Sequence, residues 1–318
     1  IAETVSDRLS KIEERLDEAF YITIGKNPFF DSWINFNVDN RNILNVNDSV
    51  LENPDLVFKI KKKLNRKIDA LFSQFSYAEY LEESQQKLQA TKQLESIKLQ
   101  DKILEPKYII PFASFIYYSH IENKLMNKNI NKLDNAYKFI NNNCNANTVI
   151  LKPNEIWYLD KKDNQNSVKF WNEIYDKIDS FNFHKLTKQL NENQLQEKCK
   201  KYIKKVNSLN NKYLIRLLLI FTFFTTIKIY VKDLNKFFKF NIGDGLTITN
   251  ETEGDFLQLS SESLGFIFDY DFGYDTLLVN ARFSASRNYL SKISRCFVIG
   301  TLNNTGRYVK FLDFFKFF

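Results

Sequence analysis

Short apolar bursts punctuated by turn residues fill the first third of the chain. Residues 1–18 place Val5, Leu9, Ile12 and Leu16 at helical spacing and predict an amphipathic helix. Residues 20–24 alternate as a strand, stopped by Gly25-Lys26-Asn27-Pro28. A second strand is expected over 34–38, a turn at Asp39-Asn40, and a third strand over 43–46 that stops at Asn47-Asp48-Ser49. Asn53-Pro54-Asp55 opens a helix through Leu56, Ile60 and Leu64. A short buried strand over 70–75, a long polar helix over 78–104 and a strand over 107–110 follow. Strands alternating with helices are the pattern of an α/β layered domain.

Beyond residue 128 the pattern changes. A helix is expected over 132–139, a strand within 149–158, and amphipathic helices over 167–181 and 187–208, with Trp171, Ile174 and Ile178 on one face of the first. The longest apolar run, 213–231, is broken by Arg216 and Lys228. That leaves too little uncharged chain for a spanning helix of about 20 residues. It reads as a buried helix end followed by a strand and not as a membrane span; no membrane partner is expected, with a peripheral membrane role as the lesser alternative. The rest reads as β-rich: strands over 238–242, 246–249, 256–259 and 276–279, a short helix over 260–268, and a closing hairpin of 297–301 with 308–312. Three parts are expected: 1–158, a helical segment 159–236, and a small β-rich lobe 237–318.

Composition adds little chemistry. Hydrophobic content of 44% in 318 residues is ample for one or two cores. The net charge of +7 is mild and dispersed. The basic cluster KIKKKLNRK at 59–67 reads as long side chains covering a helix surface. No nucleic-acid partner is expected. Cys144, Cys199 and Cys296 are widely spaced with no CxxC, which points away from a disulfide framework and toward a reduced, cytoplasmic setting.

The residues with chemical promise sit where predicted strands end. Asp48 follows one strand, Gln74 and Ser76 the next, and Ser114, Ser119 and His120 the third. Open α/β sheets put ligands at such an edge. Asp48 in Asn-Asp-Ser also fits an ordinary turn. Ser76, Ser114 and Ser119 read more readily as hydroxyls satisfying backbone than as nucleophiles. Asn123 fits a helix surface, and His184 among its aromatics fits an interior position.

ILNVNDS at 43–49, LFSQFSYAEY at 71–80 and PKYIIPFASFIYYSHIENKLMN at 106–127 together resemble the later half of a metallo-β-lactamase-fold domain. The branch is similar to CMP-N-acetylneuraminate hydroxylase and to bacterial sugar-locus metallohydrolases. SSESLGFIFDYDFGYDTLLVNARF at 260–283 resembles the C-terminal extension of those bacterial proteins. The resemblance implies an incomplete αββα sandwich, α/β (α+β) in class, followed by the helical segment and the β-rich lobe. It also implies a divalent metal (zinc, manganese or iron), with Asp48 as the bridging carboxylate and His120 as the last His ligand. Gln74, Ser76, Ser114, Ser119 and Asn123 would face a carbohydrate or nucleotide-sugar substrate.

The sequence departs from the family at two places. Ser49 stands where most members have Cys, and the His-x-His-x-Asp-His motif is missing; the chain holds 2 His in all. A catalytic zinc takes about three protein ligands. The expected protein is therefore a distal or truncated part that becomes a metal-dependent hydrolase when the motif is supplied from elsewhere. The alternative is a carbohydrate-locus protein that binds without turnover.

Overall fold

The computed structural model describes residues 20–26, 32–47, 49, 52–161, 165–221 and 223–310. The helix expected over 1–18, Asp48, and the second half of the expected closing strand lie outside them. The described residues form nine helices and two mixed sheets, an α/β (α+β) arrangement.

The first sheet has six strands in sequence order: β1 (Phe20–Lys26), β2 (Ser32–Val38), β3 (Arg41–Asn45), β4 (Ala70–Gln74), β5 (Tyr108–Phe112) and β6 (Asn147–Thr148). β1 to β3 form an antiparallel meander, and β3 to β6 run parallel. Asp39 (φ 48°) and Asn40 (φ 61°) make the β2–β3 turn. Two successive left-handed residues suit a tight hairpin and explain Asp-Asn there. Buried amides follow the same face: Asn35 and Asn37 both donate to Oδ1 of Asn42, at 3.2 and 3.0 Å.

The parallel crossovers carry α1 (Pro54–Leu64), α2 (Glu83–Leu104) and α3 (Leu133–Asn143), and α4 (Gln165–Asp176) follows β6. Adjacent parallel strands joined in order by right-handed crossovers place their helices on one face, and these helices do pack side by side, α1 on α2, α2 on α3 and α3 on α4. Asn53 caps α1 by accepting the Asp55 amide at 2.9 Å, with Pro54 at its first turn. Trp33, Leu44, Leu71, Ile97, Ile109 and Ile140 fill the layer between sheet and helices. On the other face, Ala70, Tyr108, Ile110 and Val149 are covered by the irregular stretch carrying Leu151, Trp157 and Leu159. Ile34, Phe36, Ile43, Phe72 and Phe112 stay half-buried there.

The second sheet has the order β11-β10-β7-β8-β9, with β7 (Ile227–Val231), β8 (Lys236–Asn241), β9 (Gly245–Thr249), β10 (Leu257–Leu259) and β11 (Phe283–Ser284). Its helices are α5 (Glu192–Leu209), α6 (Lys212–Ile220), α7 (Ser261–Asp269), α8 (Gly273–Asn280) and α9 (Arg287–Asn304). The run 213–231 is a helix followed by a strand, as its pattern predicts.

Three expectations change. Residues 276–279 belong to helix α8, not a strand, and 297–301 lie inside α9, so no hairpin forms there among the described residues. Residues 149–158 hold no strand; the strand pairing with β5 is the two-residue β6 just before them. The expected helical segment 159–236 divides. Val168, Trp171 and Tyr175 of α4 join the first core, whereas Leu195 and Cys199 of α5 and Ile227, Ile229 and Val231 of β7 join the second. The lobes are sorted by which sheet each apolar stripe can reach, and sequence position alone does not show that.

Candidate functional site

The carboxyl ends of β3 and β4 open into a polar cleft of about 320 Å³ walled by α2. Asn47 and Ser49 hold one lip. Asn47 is left-handed (φ 47°), and its amide donates to Oδ1 of Asn45 at 2.8 Å. Ser49 donates its amide to the Val46 carbonyl at 3.0 Å and its hydroxyl to the Ser32 carbonyl at 3.0 Å. Asn47 and Ser49, the two described members of Asn-Asp-Ser, line the cleft. Gln74, the last residue of β4, lines the opposite side with Ser73.

The α2 wall supplies Gln89, Gln93, Ser96 and Gln100. These positions recur every three to four residues, so one helix face carries them all. Gln100 is buried and fixed, accepting from the Ser73 hydroxyl at 2.8 Å and donating to Ser96 at 3.1 Å. Gln74, Gln89 and Gln93 make no side-chain hydrogen bond among the described residues, which leaves their amides open to a ligand. Glu52 and Glu79 complete the lining, which contains no Lys or Arg among the described residues. Burial against the cleft wall, then the charge of Glu52, pushes the Glu79 carboxyl upward. Much of Glu79 faces solvent, so solvent screens the effect. Glu52, Glu79 and the α2 glutamines were not expected from sequence. The signal was present: Gln89, Gln93 and Gln100 share the spacing that an all-polar helix reading treats as solvated surface.

The other expected site residues lie elsewhere. Ser76 and Ser114 are buried and satisfy backbone: Ser76 Oγ accepts the Asn131 amide at 3.1 Å, and Ser114 Oγ accepts the Phe75 amide at 3.0 Å. Ser119 is exposed, and its carbonyl accepts the His184 amide at 2.8 Å. Asn123 accepts the His120 amide at 3.0 Å and donates to the Asn280 carbonyl at 2.7 Å, tying the two lobes. His184 is exposed rather than interior, because its segment only borders the first lobe through the bridge to His120.

His120 is buried, but it does not line the cleft. Its Nδ1 accepts the Glu122 amide at 3.1 Å. Around it lies an ion cluster at the lobe junction. Arg282 donates through Nε and Nη2 to Oε2 of Glu122, at 3.0 and 2.9 Å, and through Nη2 to Glu262 at 2.6 Å. Lys232 lies 3.3 Å from the other Glu122 oxygen, and Ser260 donates to Glu122 at 3.1 Å. Arg282 and Lys232 offset the Glu122 charge, and the His120 Nε2 is buried without a hydrogen-bond partner. Among the described residues no group of three or more His, Cys, Asp and Glu is arranged to hold a metal.

Burial first, and the charge of Arg282 second, lower the His120 pKa from its ordinary 6.5, against the opposing pull of Glu122. The folded protein thus favours neutral imidazole. A depressed folded pKa means stability that is complete above the unfolded value and is lost as pH falls through 6.5 toward the folded value. Urea unfolding between neutral and mildly acid pH should show this decline, and His120→Gln should flatten it; an unchanged slope in the variant would refute the assignment.

No family model matches the chain, and no curated protein matches it significantly. The class defined by the fold is a two-lobed α/β protein with a polar, acid-containing cleft at a parallel strand edge. Among the described residues no helix is long and apolar enough to cross a membrane.

Proposed function

We propose that the cleft binds a carbohydrate, and that the first lobe is the distal half of a metallo-β-lactamase-like hydrolase or oxygenase acting on a sugar or nucleotide sugar. The observation that carries the binding reading is the lining: open amides of Gln74, Gln89 and Gln93, hydroxyls of Ser49 and Ser73, and carboxylates of Glu52 and Glu79. Amides offer both donors and acceptors, and carboxylates accept strongly, which is the complement of a ring of hydroxyl groups. Two carboxylates without a cation disfavour a phosphate, so the cleft suits the sugar portion and not a nucleotide's diphosphate.

Two further features support the family reading. Asn47 and Ser49, the neighbours of Asp48, border the cleft. The half-buried apolar face with Ile34, Phe36 and Phe72 is one that a second sheet of a sandwich would cover. Turnover requires metal donors beyond the described residues, and no step is assigned to a metal here. The alternative, binding without turnover, is favoured by the absence of His120 from the cleft lining.

Calorimetric titration with free hexoses and N-acetylhexosamines should give saturable binding. Gln74→Ala should weaken it roughly tenfold, the effect of one lost hydrogen bond. Absence of binding to any neutral sugar would refute the reading. If binding is present but the purified chain holds no zinc, manganese or iron above background, the enzyme reading is removed and the non-catalytic alternative holds.

A further inference from the structure

Helix α6 is apolar on two faces, and only one of them is packed. Leu214, Ile215 and Leu218 are buried against Val206, Ile242 and Ile299. Tyr213 (69% exposed), Leu217 (39%) and Ile220 (74%) form a second stripe at i, i+4 and i+7, extended by Phe221 (71%) and Phe223 (42%). A helix apolar on both sides is normally enclosed. An exposed apolar cluster of this kind marks a contact surface.

The rim is basic. Lys212 and Arg216 are exposed on the helix itself. The groove on one side of the helix is lined by Lys200, Lys204 and Lys212, and the groove on the other side places Lys292 and Arg295 beside Ile220. None of these six cations makes an ion pair among the described residues, whereas Lys198 and Lys205 on the same α5 pair with Asp269 and Asp271. Asp244 is the acid lining both grooves, and it already accepts from Asn241 at 2.9 Å.

We propose that this face lies on an anionic lipid surface, with Ile220, Phe221 and Phe223 entering the headgroup–acyl boundary. The expectation of no membrane partner came from the charges that prevent spanning. Arg216 and Lys212 do not oppose a helix lying in the interface, because their heads reach the headgroups while the apolar stripe enters. A second copy of the chain is the less suitable occupant. Symmetric pairing of the face would bring two sets of unpaired cations together, a like-charge arrangement that suppresses association. Each Lys or Arg near an anionic leaflet contributes about 1 kcal/mol, a roughly fivefold gain in partition.

The test is sedimentation of the purified chain with vesicles of phosphatidylcholine alone and of phosphatidylcholine mixed with phosphatidylglycerol. Binding is expected only to the mixed vesicles, falling steeply with salt. Ile220→Ser with Phe221→Ser should lower it at least tenfold, and Lys292→Glu roughly fivefold or more. The circular dichroism of the variants should match the parent, since these side chains are exposed. No sedimentation with anionic vesicles overturns the proposal. So does binding indifferent to Ile220 and Phe221, or a concentration-dependent dimer in light scattering that the double variant dissolves.

Discussion

Arg282→Met is expected to lower the unfolding free energy by about 3 kcal/mol, at the lower end of what breaking a buried ion pair costs. Its Glu122 partner has a side chain 5% exposed, while Arg282 itself keeps 21% of its surface in solvent. Without the guanidinium, the Glu122 carboxylate retains Lys232 at 3.3 Å and the Ser260 hydroxyl, and Glu262 loses its 2.6 Å partner. The cost is therefore the desolvation of a carboxylate left under-compensated, not the worth of the pair. The double variant Glu122→Gln with Arg282→Met should recover part of the loss, since members of one network do not add. Urea unfolding of the four proteins in the cycle measures this. A loss below about 1 kcal/mol for Arg282→Met would place the cluster among ordinary surface pairs.

The cluster also orders the lobes relative to each other. Glu122 comes from the first lobe, and Lys232, Ser260, Glu262 and Arg282 come from the second. Nearby, the Tyr80 hydroxyl donates to the Ala285 carbonyl at 3.0 Å and accepts its amide at 3.1 Å, while the ring packs 4.2 Å from Phe283. Variants at Arg282 should thus loosen the junction as well as the fold.

Local periodicity made much of this legible in the sequence. The β2–β3 hairpin, α1 with its Asn-Pro cap and the helix-then-strand reading of 213–231 all rest on signals carried within about ten residues. What was missed depended on distant chain. Residues 276–279, Thr-Leu-Leu-Val, have strand-like composition, but they form α8 because Tyr274 and Leu277 must face the second core one turn apart. Residues 297–301 became part of α9 for the same reason: Tyr289, Ile293, Cys296 and Phe297 make one stripe at helical spacing that a strand would split. At the site, the strand-edge logic pointed to Gln74 and to the Asn47–Ser49 stretch, and Gln74, Asn47 and Ser49 line one cleft. Ser76 and Ser114, at the same strand ends, take the backbone-satisfying role that reads more readily from the sequence, but which amides they serve is decided by the loop at Asn131 and by β4 meeting β5. Which strand ends share a cleft depends on the helix lying across them, and α2 supplied Gln89, Gln93, Ser96 and Gln100.

Phe240→Ala should be the most damaging single substitution in the second lobe, at about 3–5 kcal/mol. Phe240 is fully buried on β8, between Ile227 of β7 and Leu246 of β9. Its ring stacks on Phe297 with centroids 5.1 Å apart and planes at 19°, and it meets Phe268 at 5.3 Å. Phe297 in turn stacks on Tyr274 at 4.9 Å. One ring therefore joins the sheet to α7, α8 and α9, and its removal leaves a cavity that rigid neighbours on three helices cannot close. Phe240→Leu keeps most of the volume and should cost about 1–1.5 kcal/mol. Ile220→Ala offers the contrast: an equally apolar residue, 74% exposed, whose loss should change stability by about 0.5 kcal/mol or less. Urea midpoints for the three variants decide the matter. If Phe240→Ala and Ile220→Ala fall close together, the aromatic stack is not what holds the second lobe.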